Sequence, residues 1–200
     1  QLVGAVHSYG GLVYHDIIKK RHAEKASEAG VDGLILVSAG AGGHGGTLNP
    51  MSLISEVKKV FNKTLILSVC ISTGVDVAAA LQMGADFAYM GTRFINTVES
   101  QADDGYKEMI INSDANDIVY TAAVSGVNAN FLKPSLEAMG ITEDMWKNTK
   151  KIDFGKELSA AEAEAKAWKT IWSAGHGVTS ITDCPSCLLY TSPSPRDPRE

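Results

Sequence analysis

The stretch Ala29-Gly30-Val31-Asp32-Gly33-Leu34-Ile35-Leu36-Val37-Ser38-Ala39-Gly40-Ala41-Gly42-Gly43-His44-Gly45-Gly46 carries three structural signals in eighteen residues. Gly30 closes a helical pattern, because glycine takes the left-handed conformation that ends a helix without steric cost. Residues 33–38 form a short apolar run of strand length. Five glycines then fall within residues 40–46. A backbone this bare can turn tightly or come close to another group. Helix, buried strand and glycine loop in that order are the unit of a parallel α/β sheet.

The unit recurs on either side. Residues 12–17, 64–68 and 87–90 also have strand character, and helical patterns follow at 19–29, 50–61, 74–83 and 99–112. Pro50 suits a first helical turn, and Leu53, Ile54, Val57 and Phe61 share one face behind it. The order βαβαβαβα predicts a parallel sheet with helices on both faces. Met83-Gly84-Ala85-Asp86-Phe87 repeats the pattern of Ala29-Gly30-Val31-Asp32-Gly33. An ordinary helix stop used twice and an internal duplication both account for it.

After residue 112 the pattern changes. Residues 117–127 read as a short strand or extended loop, and 128–151 as turns with two short helical stretches. Residues 159–173 read as a helix, with Ser159 as cap and Glu162 as its third-position acid. The expected organisation is therefore residues 1–112 as a βα region, 113–186 as a mostly helical capping extension and 187–200 as a disordered tail. That tail carries three of the six prolines and reads as translated sequencing-adapter sequence, a regulatory tail being the competing reading.

Composition narrows the function classes. With 200 residues, 44% hydrophobic and 20% charged, the chain can bury a core, and its apolar runs are too short to span a membrane. A net charge of -5 disfavours nonspecific nucleic-acid binding. Three cysteines fit a reducing compartment, and no leader-like run opens the chain, so a cytoplasmic location is expected. The first residue is Gln1 rather than Met, and an upstream segment is expected to be missing.

In parallel α/β folds, ligands gather at the carboxyl ends of the strands. The first such loop holds His15 and Asp16, which point to opposite faces and read as structural. The glycine loop is the strongest signal, with Ala41, Gly42 and Gly43 offering bare backbone to a flat ligand. His44 is its one titratable side chain, suited to proton transfer near neutral pH. No Lys-Ser/Thr follows, so it is not a Walker loop. Gly40, Gly42 and Gly45 meet bare GxGxxG spacing, but no acid ends the next strand. The third loop, with Ser68, Cys70 and Ser72, leads into a helix start, which favours a phosphate. Gly91 and Thr92 follow the fourth strand. If these are the last two strands of an eight-stranded barrel, both loops share one phosphate. Cys184 and Cys187 have CxxC spacing without the helix or further ligands that redox or zinc chemistry needs, and no metal site is expected.

Taken together, VYHDIIKKRHAEKASEAGVDGLILVSAGAGGHGG, MGADFAYMGTRFI, SGVNANFLKPSL and AKAWKTIWSAGHG resemble the nitronate monooxygenases, formerly 2-nitropropane dioxygenases, over residues 1–186. The GGH and GTRF segments are also similar to those of FMN-dependent enoyl-ACP reductases.

The resemblance implies an α/β fold: the C-terminal half of a (β/α)8 TIM barrel with a helical C-terminal extension. The four strands would be strands five to eight. It implies FMN as cofactor and a nitronate or nitroalkane with O2 as substrates, yielding a carbonyl compound and nitrite. His44 would be catalytic, Ala41, Gly42 and Gly43 would line the flavin ring, and Ser68, Cys70, Ser72, Gly91 and Thr92 would hold the phosphate. His176 stands where the family more often has Gln and would touch substrate. Val69 and Cys70 replace smaller residues. The family's first four strands are not in the chain, so the chain alone is expected to be inactive and to bind FMN weakly. No oligomeric state is implied. The alternatives are an FMN-dependent NAD(P)H reductase of enoyl-ACP or quinone type and a non-catalytic phosphate-ligand-binding half-barrel.

Overall fold

The computed structural model describes residues 2–148 and 171–191. After a short helix α1 (Leu2–His7), the chain runs β1 (Tyr14–Ile17), α2 (Lys20–Glu28), β2 (Gly33–Val37), β3 (Gly43–His44), α3 (Pro50–Val57), β4 (Thr64–Ser68), α4 (Gly74–Gln82) and β5 (Phe87–Tyr89). Strands β1, β2, β4 and β5 form one parallel sheet in that order. Successive strands are neighbours, as in part of a (β/α)8 barrel.

Strand register explains which face is covered. Ile17, Leu36, Leu67 and Ala88 are aligned across the sheet. The first three are fully buried and join Leu53, Ile54 and Val57 of α3 and Ala23 and Ala26 of α2 in one core. The opposite row is Asp16, Ile35, Ile66 and Phe87. Phe87 is 59% exposed there, and Asp16 is exposed too. The expected helices on both faces are therefore not seen among the described residues. Helices cover one face, and the other is open like the inside of an unclosed barrel. His15 and Asp16 fall on opposite faces, as their adjacency requires.

The repeated Gly-x-Asp pattern has one physical role, used twice. Gly30 (φ 83°) and Gly84 (φ 99°) occupy the left-handed position after α2 and α4. Gly30 N–H bonds Ser27 and Val31 N–H bonds Ala26; Gly84 N–H bonds Leu81 and Ala85 N–H bonds Ala80. These are two Schellman closures. Next, each Asp brackets the neighbouring strand. Asp32 N–H donates to Val13 O at 2.8 Å while its carboxylate accepts Val13 N–H at 2.7 Å. Asp86 does the same with Leu65, at 2.8 Å in both directions.

Beyond β5 lie α5 (Thr92–Ile95), α6 (Asp104–Ile111), β6 (Ile118–Thr121), β7 (Ala129–Leu132), α7 (Lys133–Ala138) and α8 (Glu143–Asn148). Here β6 falls in the stretch read as a short strand or extended loop, whereas β7 lies in one read as turns and short helices. Besides α7 and α8, this region holds β6 and β7, which with β3 make an antiparallel sheet in the order β3-β7-β6. Residues 128–132 read as turns because Asn128 and Asn130 interrupt the apolar run. Yet Ala129, Asn130, Phe131 and Leu132 are all buried, and β7 gains pairing on both edges.

Most of the helix expected at 159–173 lies outside the described residues. Its last three residues, 171–173, are not helical. Trp172 there stacks on Tyr106 of α6 at 5.0 Å, and the Tyr106 hydroxyl donates to Ser173 O. Of the tail, Leu188–Thr191 forms one helical turn, preceded by Ser186 and Cys187 donating to the Glu99 carboxylate. Residues 192–200 lie outside the described residues.

Candidate active site

The loop after β2 is a closed lobe. Ala39 N–H donates to Leu48 O at its neck, and Gly40 (φ 92°) and Gly43 (φ 70°) take conformations that favour glycine. Gly43 and His44 then pair with Asn130 and Ala129 of β7. Three side chains from the second sheet region hold the lobe. Asn130 Nδ2 donates to Ala41 O at 2.6 Å, Tyr120 Oη donates to Gly45 O at 2.9 Å, and Ser125 Oγ lies 3.4 Å from His44 Nε2. None of these three stood out in the sequence, because each acts on a partner at least 75 positions away.

At the carboxyl ends of β4 and β5 lies a cavity of about 60 Å³. Gly42, Ser68, Cys70, Gly91 and Thr92 line it, so five of the residues singled out in three separate loops converge. Gly175 and Gly177 complete its wall. The signal for these two was in the AGHG segment, but what they do depends on contact. A Cβ on Gly175 would meet Gly40 O at 2.6 Å and Gly42 N at 2.8 Å. One on Gly42 would meet Gly175 N at 3.0 Å. One on Gly177 would meet Cys70 O at 3.1 Å. Gly42, Gly175 and Gly177 are therefore needed for three backbones to meet.

The other candidates lie elsewhere. Ser72 is buried, donates its hydroxyl to Gly177 O at 2.9 Å and gives its amide to Asp76. It supports the wall without lining the cavity. Thr73 and Asp76 form a capping box at the start of α4. Burial would raise the Asp76 pKa, but hydrogen bonds from the Ser72 amide and from the Thr73 hydroxyl and amide outweigh it and hold the carboxyl below its usual value. That carboxylate already occupies the helix start, so an anion in the cavity would meet loop backbone instead. Burial pushes the Cys70 thiol up, with Asp76 adding to the effect, which keeps it protonated at neutral pH.

His44 is exposed and does not line the 60 Å³ cavity, although Gly42 two residues earlier does. Ala41 is buried against Asn130, and Gly43 lies in β3. His176 donates its amide to Gly40 O at 2.9 Å. It lines a separate crevice of about 270 Å³ with Gly40, Gly46, Tyr120 and Asn130. Among the described residues, no three His, Cys, Asp or Glu side chains group as a metal site, and no helix is long and apolar enough to cross a membrane.

The sequence model of the nitronate monooxygenase family matches residues 1–188. The chain belongs to the nitronate monooxygenase family. It is 30% identical over 158 residues to the nitronate monooxygenase of Paraburkholderia phytofirmans, covering 73% of this chain and 43% of that protein. A probable nitronate monooxygenase of Staphylococcus aureus is 30% identical over 132 residues, covering 58% of this chain and 37% of that protein. FabK from Thermotoga maritima superposes with a TM-score of 0.71 at 26% identity, covering 91% of this chain and 59% of that one. The nitroalkane oxidase of Streptomyces ansochromogenes superposes at 0.73 with 22% identity, covering 95% and 58%, and shares the fold. The chain thus spans less than half the length of these curated relatives and under three fifths of these solved structures. This family member carries part of a TIM barrel.

The cavity is small beside a whole flavin. At about 60 Å³ it is far below the several hundred Å³ of a small-molecule pocket. It has room for one phosphate-sized group, leaving a flavin ring to lie outside. Thr92 Oγ1 accepts the Gly175 amide, so its own proton is available to an anion. These residues fit the phosphate end of FMN.

Proposed function

We propose that this chain is part of an FMN-dependent enzyme that oxidises alkyl nitronates with O2 to carbonyl compounds and nitrite. The observation that carries the reading is the cavity closed by Ser68, Gly91, Thr92 and Gly175 at the carboxyl ends of β4 and β5, in a member of this family.

Bound FMN would supply the electron chemistry. The chain's own residues would do three things. Gly91, Thr92 and the Cys70 backbone would hold the phosphate through N–H groups and one hydroxyl. The lobe pinned by Asn130 and Tyr120 would present His44 on a fixed loop. His44, exposed at the lobe's edge beside Ser125, would take a proton from a nitroalkane or orient a nitronate anion. His176, in the crevice beside Gly40, would contact substrate.

The GGH and GTRF segments also support a second reading, an NAD(P)H-dependent flavin reductase. Anaerobic reduction of the flavin in the complete enzyme separates the two. Reduction by a nitronate but not by NADH or NADPH is expected. Reduction by the nicotinamides alone would replace the first reading with the second, and reduction by neither would favour simple phosphate-ligand binding.

A further inference from the structure

Arg93 follows Thr92 in sequence but faces away from the cavity lining. Its side chain is only 1% exposed. Nη1 donates to Asp183 Oδ1 at 2.8 Å, and Nη2 donates to Asp183 O at 2.8 Å and to Asn96 O. A buried guanidinium is costly to desolvate, and such partners are what offset the cost.

The segment between Gly175 and Asp183 is a strap with both ends on α5. Gly175 donates its amide to Thr92 Oγ1 at 3.0 Å. Eight residues later, Asp183 meets Arg93. Between them the 3-10 turn His176–Ser180 packs on α5, and Val178 and Ile181 are each 1% exposed. The strap's leading residues, Gly175 and Gly177, are the cavity wall that the barrel loops cannot make for themselves.

We propose that Arg93 is a positioning residue for phosphate recognition. Its ion pair with Asp183 draws the strap down so that Gly175 and Gly177 close the cavity, although Arg93 does not line it. The inference rests on the reading of the cavity as the FMN phosphate site. A pair serving only the fold would lower stability without touching the discrimination between FMN and riboflavin, which differ by the phosphate.

Asp183→Ala tests this, because Asp183 is 56% exposed at its side chain and its loss leaves Arg93 two carbonyl partners. In the 200-residue chain, amide hydrogen exchange at Gly175 and His176, which donate to Thr92 Oγ1 and Gly40 O, is expected to accelerate about tenfold, with β2 and β4 unchanged. Titration with FMN and riboflavin, read by the Gly91, Thr92 and Gly175 amide shifts, should show the FMN preference fall about tenfold and riboflavin binding stay constant. Arg93→Lys, which keeps the charge but not the forked geometry, should fall in the same direction. Unchanged exchange at Gly175, or equal weakening toward both flavins, overturns the proposal. A wild-type chain with no preference for FMN over riboflavin overturns the phosphate reading and, with it, the role in recognition. The exchange rates would then still decide whether the pair holds the strap.

Discussion

The hydroxyl of Thr92 accepts the amide of Gly175 at 3.0 Å, across 83 positions of sequence. This bond ties the loop after the last parallel strand to the C-terminal strap, and it turns an open notch between two βα loops into a walled cavity.

Gly175→Ala should break that closure. The added methyl would sit 2.6 Å from Gly40 O and 2.8 Å from Gly42 N, and both are backbone atoms that cannot swing away. A loss of about 1–3 kcal/mol is expected, typical of overpacking. Urea denaturation of the purified variant gives the number, and an unchanged midpoint would mean that the strap does not sit on the lobe.

The bracket of Asp86 around Leu65 should be worth about one hydrogen bond net, so Asp86→Ala should cost about 1 kcal/mol. Asp86→Asn keeps an acceptor oxygen and should cost less. Equal losses for both variants would show that charge, rather than the accepted Leu65 amide, is what matters.

Acid should release the Ser186–Cys187 segment late. Hydrogen bonds from the Ser186 hydroxyl first, and then from the Cys187 amide, hold the Glu99 pKa down at about 2 from an ordinary 4.5. A depressed carboxylate contributes stability above its unfolded value, and that contribution is lost as pH falls through the folded value. The Cys187 amide shift should therefore persist through pH 4 and change as pH approaches 2. A transition centred near 4.5 would count against the contact.

His44→Ala in the complete enzyme should lower nitronate turnover by about a hundredfold or more, the range of a lost acid–base group, while FMN stays bound. Retained flavin is the informative half of the result, because His44 lies outside the phosphate cavity. Full turnover in the variant would remove its proposed role.

The chain by itself should bind FMN weakly. Its sheet ends at β1 and β5 among the described residues, which leaves Phe87 59% exposed on the open face and Tyr89 53% exposed at the carboxyl end, where a flavin's ring would need a closed barrel mouth. Fluorescence titration is expected to give binding far weaker than the complete enzyme's. Stoichiometric yellow protein from purification of the chain alone would contradict this.

Much of the barrel portion was readable from local signals. Thr64–Ser68 was predicted with both ends correct, and the other three parallel strands were found within two residues at each end. Their apolar runs, the prolines and the helix-closing glycines act over a few residues, so sequence neighbours suffice to reveal them. β7 was missed because Asn130 looks like a turn residue until its amide is seen donating to Ala41 O, 89 positions away. The lobe was read as a bare loop because nothing in Gly43-His44 announces pairing with Asn130 and Ala129.

The candidate site divides the same way. Sequence alone determined the parallel βα order, and it singled out His44 as the candidate for proton transfer and the third and fourth loops as the candidate anion site. Tertiary structure alone decided that Ser72 braces the wall instead of lining it, that His44 stands apart from the cavity, and that Gly175 and Gly177 close it. The physical reason is range. Caps, turns and apolar periodicity are settled within one or two turns of chain, whereas a cavity exists only where segments more than 80 residues apart pack backbone against backbone.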